Sequence, residues 1–231
     1  MKKVLITGAS RGLGLALAEQ FLNNGFSLLL VVRSEGSKTS LLNKFPTACV
    51  LVCDVTDENY QSTLGRWLSE QTVDVVINNA GSGTKAPSLE STQAQYLRKE
   101  FETNCIAVLS TVKGSLNALK RSLSPLVINI SSRRGSLSMQ SELAAKGSGC
   151  SYSYRISKAA QNMLSLCLAD DLEDIGIKVV SIHPGRLLTK MASTDAHMTP
   201  SASAKKLVEL VKSNSLNNRD FISLETGLLP W

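Results

Sequence analysis

The 231-residue sequence lacks any apolar run of the roughly 18–20 residues that a membrane-spanning helix needs. A basic start at Met1 is followed by an apolar run too short for a secretory signal, so we expect a cytoplasmic protein without a membrane partner. The five cysteines are odd in number and include no Cys-x-x-Cys pair, which indicates reduced thiols rather than a disulfide framework. Because there are only two histidines, a zinc site would need an unusual ligand set, which argues against metal catalysis.

Aromatic residues are also scarce, at 5% of the chain, although the formal net charge is +6. The basic residues form isolated pairs, such as Lys2-Lys3, Arg133-Arg134 and Lys205-Lys206, with no aromatic residues interleaved. Nucleic-acid binding usually needs a clustered basic surface, so we expect no nucleic-acid partner. The excess positive charge fits a solvated surface, with some of it available for a phosphorylated cofactor.

Short apolar runs alternate with amphipathic segments along the whole chain. The predicted strands are Lys3–Thr7, Ser27–Val32, Cys49–Cys53, Val73–Asn78, Leu126–Ser131, Lys178–His183 and Phe221–Ser223. The predicted helices are Leu13–Asn24, Gly36–Lys44, Glu58–Gln71, Thr92–Ser122, Tyr152–Ile175 and Ser201–Asn214. This alternation predicts one α/β domain over residues 1–231, with a doubly wound, seven-stranded parallel sheet and helices on both faces. Two irregular stretches that follow strands, near 133–151 and 186–200, are the expected substrate loops.

A glycine-rich turn, Thr7-Gly-Ala-Ser-Arg-Gly-Leu-Gly14, follows the first predicted strand and opens the first helix. Gly8, Gly12 and Gly14 allow a tight turn, close approach of a pyrophosphate, and close packing of the helix on the strand. The free N–H groups at the start of the helix attract phosphate. Strand, turn and helix in this order predict a dinucleotide-binding site.

Tyr154 and Lys158 lie four residues apart in a predicted helix, which places both side chains on one face. A neighbouring cation stabilises a phenolate, so we expect the pKa of Tyr154 to lie below its usual value. A tyrosine tuned in this way exchanges a proton with a reacting oxygen near neutral pH.

The spacing Gly-x-x-x-Gly-x-Gly, together with Tyr154 and Lys158, resembles the short-chain dehydrogenase/reductase family over nearly the whole chain. Further matching segments are Cys53-Asp-Val55, Asn78-Asn-Ala-Gly81, Glu102-Thr-Asn-Cys-Ile-Ala107, Ile128-Asn-Ile-Ser-Ser132, and His183-Pro-Gly185 followed by Thr189. Taken singly, each has a plainer interpretation. Asp54 could be a turn residue, Asn79 a polar strand end, Ser132 part of a solvated loop and Gly185 a chain break.

The resemblance implies a role for each of these residues. Tyr154 is the general acid or base, Lys158 supports it and binds the nicotinamide ribose, Ser132 donates to the substrate oxygen, and Asn104 holds a relay water. Residues predicted to contact the cofactor are Gly8, Ser10, Arg11, Gly12, Leu13, Gly14, Arg33, Asp54, Val55, Asn79, Ala80, Gly81, Tyr154, Lys158, Pro184, Gly185, Leu187 and Thr189.

The second predicted strand ends in Arg33 and has no carboxylate that would accept ribose hydroxyls and repel a phosphate. Arg33 and Arg11 can meet a 2′-phosphate, so NADP(H) is favoured over NAD(H). The alternative is that both arginines are solvated surface charges. Family resemblance also implies a homodimer or homotetramer that pairs through the two long helices.

Ser132 and Tyr154 are 22 residues apart, a longer gap than the resemblance implies, and the extra residues suggest a flap over the substrate site. Tyr-Arg-x-Ser-Lys-Ala-Ala, Arg-x-Gly-Ser and a Gly-x-x-Pro-Trp segment ending at Trp231 resemble the C-factor subgroup. We therefore expect an NADPH-dependent reductase that converts a ketone or aldehyde to an alcohol. The alternative is a cofactor-binding signalling or regulatory protein of the C-factor type with little turnover.

Overall fold

The computed structural model describes residues 1–188 and 196–231. The strands are β1 Lys3–Thr7, β2 Ser27–Val32, β3 Cys49–Val52, β4 Val75–Asn78, β5 Leu126–Ile130, β6 Lys178–His183, β7 Phe221–Ser223 and β8 Gly227–Leu228. The α-helices are α1 Gly12–Asn23, α2 Glu35–Lys44, α3 Tyr60–Trp67, α4 Ala94–Phe101, α5 Ala107–Leu119, α6 Leu137–Ser141, α7 Tyr152–Glu173 and α8 Pro200–Ser213. A π-helix, Glu102–Ile106, joins α4 to α5, and a 3₁₀-helix covers Arg133–Gly135.

All described strands form one sheet in the order β3-β2-β1-β4-β5-β6-β7-β8. The seven expected strands run parallel, which confirms the doubly wound α/β fold. The two residues of β8 pair antiparallel with β7 and add an eighth strand that the apolar pattern does not reveal. The chain crosses from β3 at one edge to β4 beside β1, so the sheet reverses its order of growth between β1 and β4. Ligands of such sheets bind at the carboxyl ends of the strands at this point.

Successive residues of the central strands point to opposite faces of the sheet, and each face has its own core. Val4 and Ile6 of β1 face a cluster completed by α1 and α8, whereas Leu5 faces a second cluster completed by α3, α5 and α7. The strands are therefore apolar on both sides, as parallel strands covered by helices must be. This burial fixes the sheet rigidly, so that the strand ends present site residues at defined positions.

Two expectations about local structure need correction. The expected continuous helix Thr92–Ser122 is interrupted by the π-helix, because one extra residue per turn is accommodated around Asn104. The expected loop 133–151 contains the 3₁₀-helix and α6, and the N–H of Ser138 donates to the backbone oxygen of Trp231 (3.0 Å). The C-terminal residue thus holds this segment in place.

Candidate active site

The turn after β1 and the turn after β4 are linked to each other at the point where the sheet reverses order. Thr7 Oγ1 accepts hydrogen bonds from the N–H groups of Asn79 (3.1 Å) and Ala80 (3.0 Å). Asn79 Nδ2 donates to the carbonyl oxygens of Thr7 (2.9 Å) and Gly8 (3.2 Å). Asn79 therefore holds the turn after β4 against the turn after β1.

Gly14 shows why this turn needs glycine. A Cβ atom at Gly14 would lie 2.3 Å from the carbonyl oxygen of Gly8 and 2.5 Å from Nδ2 of Asn79. Gly8 adopts a φ of +67°, which side-chain-bearing residues rarely do. The start of α1 therefore packs directly against the end of β1, with Ser10, Arg11 and Gly12 exposed beside it.

The remaining predicted cofactor residues lie along the carboxyl edge of the sheet. Arg33 is exposed at the end of β2, and Val55 is buried beyond β3. Asp54 Oδ1 accepts from N (3.0 Å) and Oγ1 (2.9 Å) of Thr56, so this carboxylate does stabilise a turn, as the plainer interpretation holds. Gly81 is exposed after β4. The edge thus combines an open helix N-terminus with exposed cationic and small residues.

Pro184 and Gly185 follow β6 on the other side of the site. The hydroxyl of Ser203 donates to the carbonyl oxygen of Pro184 (2.7 Å), and Gly185 has a φ of +92°. Leu187 pairs with Met198 in an isolated parallel bridge. The predicted cofactor contact Thr189 lies outside the described residues.

Ser132 and Tyr154 meet at the end of β5. The hydroxyl of Ser131 donates to Oδ1 of Asn162 (2.5 Å) in the interior, whereas Ser132 hydrogen-bonds the side chain of Tyr154. Ser132 Oγ also accepts from the N–H of Arg134 (3.1 Å). Of the two adjacent serines, Ser132 is therefore the one that hydrogen-bonds the tyrosine, and Ser131 is bonded to Asn162.

The pKa of Tyr154 differs from the sequence-based expectation. Burial raises it to about 12, the hydrogen bond with Ser132 opposes the rise, and the neighbouring Cys150 and Glu100 add to it. The expected lowering of the Tyr154 pKa is therefore wrong for this arrangement, because desolvation raises the pKa more than the hydrogen bond with Ser132 lowers it. The phenol is in its protonated form throughout the neutral range.

Lys158 lies on the same face of α7 as Tyr154, as the spacing predicts. Its Nζ is 5.9 Å from the centre of the Tyr154 ring and donates to the carbonyl oxygen of Ile130 (2.7 Å) and to Oε1 of Gln161 (2.8 Å). Burial lowers the pKa of Lys158 to about 7, with Cys105 and Glu100 opposing that change. The amine therefore changes charge near neutral pH.

Asn104 lies fully buried in the π-helix beside these residues. Its Oδ1 accepts from the N–H of Ser82 (2.9 Å), and its Nδ2 donates to Ser82 O and Ser157 Oγ (2.9 Å each). Because Nδ2 has used both of its hydrogens, a relay water would have to bind an oxygen of Asn104. Short π-helical segments frequently mark functional sites.

Three groups beside the site were missed from the sequence. They are Gln161, which holds Lys158; the buried carboxylate of Glu100; and His183, whose pKa burial lowers to about 4. Gln161 could have been found from its i+3 spacing to Lys158. Nothing local marks Glu100, whereas His183 lies in the matching segment His183-Pro-Gly185 but was given no role of its own.

Within residues 1–188 and 196–231, no helix is both long and apolar enough to cross a membrane. The same residues contain no group of three or more His, Cys, Asp or Glu side chains that could hold a metal ion.

Comparison with known proteins gives consistent results. The family model for short chain dehydrogenase matches residues 2–200. Oxidoreductase BOA17 of Botryotinia fuckeliana is 34% identical over 193 residues, which are 82% of this chain and 67% of that protein. C-signal of Myxococcus xanthus is 30% identical over 160 residues, which are 69% of this chain and 93% of that protein.

The structural likeness extends over the complete chain. An NADPH-bound carbonyl reductase from chicken fatty liver superposes with a TM-score of 0.87 and 27% sequence identity, covering 100% of this chain and 99% of the other. The two chains therefore share the same fold. This chain belongs to the short-chain dehydrogenase family of oxidoreductases, with C-signal among its relatives.

Proposed function

We propose that the protein is an NADPH-dependent reductase that converts the carbonyl group of a ketone or aldehyde to an alcohol. The observation that carries the proposal is the contact between Ser132 and Tyr154, one helical turn from Lys158 and at the same end of the parallel sheet as the glycine turn. A carbonyl oxygen that gains negative charge during reduction needs a hydrogen-bond donor and a proton source at that place.

The protonation state of Tyr154 supports the reductive direction. Because its pKa lies at about 12, the phenol has a proton to give at neutral pH. Ser132 and Tyr154 would both contact the substrate oxygen, and Tyr154 would transfer its proton as the oxygen gains charge. The ammonium form of Lys158 would then stabilise the phenolate that remains.

The residues present fit a dinucleotide. Ser10, Arg11 and Gly12 leave the N-terminus of α1 exposed, and Gly14 lets that end of the helix pack against Gly8 and Asn79. A nicotinamide cofactor bound there supplies the hydride. We propose that Arg11 and Arg33, both exposed, bind its 2′-phosphate, and that Pro184, Gly185 and Leu187 hold the nicotinamide end, with Thr189 assigned on family resemblance alone.

The test is consumption of NADPH or NADH with a panel of ketones and aldehydes. We expect turnover with NADPH that Tyr154→Phe abolishes while NADPH still binds. Arg33→Asp should raise the KM for NADPH roughly tenfold, because one charge-assisted hydrogen bond to the cofactor is lost. The KM for NADH, which has no 2′-phosphate, should change less. Full activity of Tyr154→Phe would refute the mechanism.

A second candidate is a cofactor-binding signalling protein with little turnover, which the similarity to C-signal favours. This candidate predicts tight NADPH binding with no oxidation by any carbonyl compound in the panel. The same assay therefore separates the two functions.

We also propose that the protein forms a homodimer or homotetramer through α4, α5 and α7. The support is a set of exposed apolar side chains on these helices and the π-helix between them: Phe101, Ile106, Leu109, Ile156 and Met163. An exposed apolar surface of this kind is typical of an interface. The cytoplasmic location, the small-molecule substrate, and the absence of nucleic-acid and membrane partners remain predictions.

A further inference from the structure

Glu100 on α4 is a fully buried carboxylate with no role in the mechanism above. Its Oε1 accepts hydrogen bonds from N (2.7 Å) and Oγ1 (2.6 Å) of Thr84. Its Oε2 is buried and has no hydrogen-bond partner among the described residues. A buried carboxylate held only by neutral donors is costly, so fold stability alone gives no reason for an acid here.

The hydrogen bonds of Glu100 lead to the helix that carries Tyr154. The Thr84 hydroxyl, which donates to Glu100, lies 3.2 Å from Oγ of Ser153, and the Ser153 hydroxyl in turn donates to Oγ of Ser151 (3.3 Å). Ser153 directly precedes Tyr154, whose N–H donates to the helix-capping Ser151 (3.3 Å). Glu100 thereby fixes the segment after β4 against the first turn of α7.

The charge of Glu100 also acts on the reacting groups. After burial and the neighbouring Cys150, Glu100 contributes to raising the pKa of Tyr154. In Lys158 burial lowers the pKa, and Cys105 and Glu100 both oppose that change. Other ionisable groups around this point are Arg155 on α7 and Arg134 on the 3₁₀-helix, which both act on Cys150.

We propose that Glu100 is a positioning residue that holds the first turn of the Tyr154 helix through Thr84 and that places a buried negative charge which acts on Tyr154 and Lys158. The proposal goes beyond the family's acid–base residues, and its kinetic test rests on the proposed carbonyl reduction. Loss of the charge makes both Tyr154 and Lys158 lose their protons at lower pH, so both effects shift the alkaline limit of reduction in the same direction.

The principal test is Glu100→Gln, which keeps an acceptor for Thr84 and removes the charge. We expect the alkaline limb of kcat/KM for carbonyl reduction to move to lower pH, because Tyr154 and Lys158 both lose a negative charge that favours their protonated forms. Glu102→Gln is the matched control, because it removes an equal charge from a partly exposed site nearby, and its limb should not move. If the alkaline limb of kcat/KM does not move in Glu100→Gln, the electrostatic part of the proposal is wrong.

Thr84→Val tests the positioning part separately. It removes the hydroxyl between Glu100 and Ser153 and leaves the carboxylate in place. We expect a several-fold lower kcat with an unmoved alkaline limb and an unchanged KM for NADPH. An unchanged kcat overturns the positioning part, and this variant also carries the test if Glu100→Gln does not fold.

A readout without turnover separates failure of this proposal from failure of the proposed function. Burial raises the pKa of the Cys150 thiol, Arg134 and Arg155 lower it, and Glu100 raises it. Alkylation of Cys150 by iodoacetamide, followed by peptide mass spectrometry against pH, should therefore reach half-maximal rate at lower pH in Glu100→Gln than in wild type and Glu102→Gln. Identical profiles would contradict the proposal even if the protein reduces no carbonyl compound.

Discussion

The amine of Lys158 lies 2.8 Å from Oε1 of Gln161, one turn further along the same buried helix face. Together with the carbonyl oxygen of Ile130, this amide provides two neutral acceptors for a lysine that has no buried carboxylate bonded to it among the described residues. Neutral acceptors only partly replace water around an ammonium group, so desolvation dominates and the pKa of Lys158 falls to about 7. The charge of Lys158 therefore changes with small changes of pH around neutrality.

We predict that Lys158 makes stability depend on alkaline pH. Its pKa is about 7 in the folded protein and 10.5 in the unfolded chain, so between these values the unfolded state binds more protons. The unfolding free energy of wild type, relative to Lys158→Met, should therefore rise with pH across this window, by up to about 1.4 kcal/mol per pH unit. Urea unfolding at several pH values measures the difference. Lys113→Met, at an exposed site on α5, should show no such trend.

The glycine turn gives a prediction with an internal control. Gly14→Ala places a methyl group against backbone atoms of Gly8, so the turn must shift, and we expect at least a tenfold loss of NADPH affinity with lower stability. Gly36→Ala in α2 meets no atom within 4 Å and should stabilise the helix by about 0.5–1 kcal/mol. Fluorescence titration with NADPH and thermal unfolding test both variants. Equal behaviour of the two would contradict the packing argument.

The sequence predicted the fold well because its signals are local. Apolar runs buried on both faces located all seven parallel strands, and the glycine turn and the i, i+4 pair of Tyr154 and Lys158 lie on the expected elements. The π-helix was missed, because a single extra residue hardly disturbs the apolar period of a long helix. The short β8 was also missed, because two exposed residues carry no burial pattern.

The electrostatics could not be predicted in the same way. Spacing places a cation near Tyr154, but it does not reveal how far the ring is desolvated, so the predicted direction of the pKa shift was wrong. Glu100 has the sequence character of a surface helix residue, since carboxylates are rarely buried. Glu225 is 42 positions from His183 in the sequence, and only the fold brings the two side chains within 3.6 Å.

The exposed apolar side chains on α7 predict how the chain associates. Met163, with 59% of its surface exposed, lies seven residues, or about two helical turns, from Ile156 on the same face. Met163→Glu should therefore convert an oligomer to a monomer, because two copies would bring like charges into the interface. Light scattering after size exclusion measures the mass. Leu123→Glu, at a fully exposed position in the loop between α5 and β5, should leave the mass unchanged.

We predict that His183 makes the stability of the fold depend on pH in the acid range. Burial lowers the pKa of His183 to about 4, Glu225 opposes this, and Arg133, Arg134 and Arg186 add to it. Between pH 4 and the unfolded value of 6.5 the unfolded chain binds more protons, so stability present above pH 6.5 is lost as the pH falls towards 4. His183→Gln should remove this loss, making the acid limb of stability shallower by up to about 1.4 kcal/mol per pH unit.

His197→Gln is the matched control, because this second histidine is 53% exposed and meets the same Glu225 carboxylate at 2.9 Å. Urea unfolding of the three proteins between these pH values decides the matter: parallel acid limbs for wild type and His183→Gln would show that another group causes the loss.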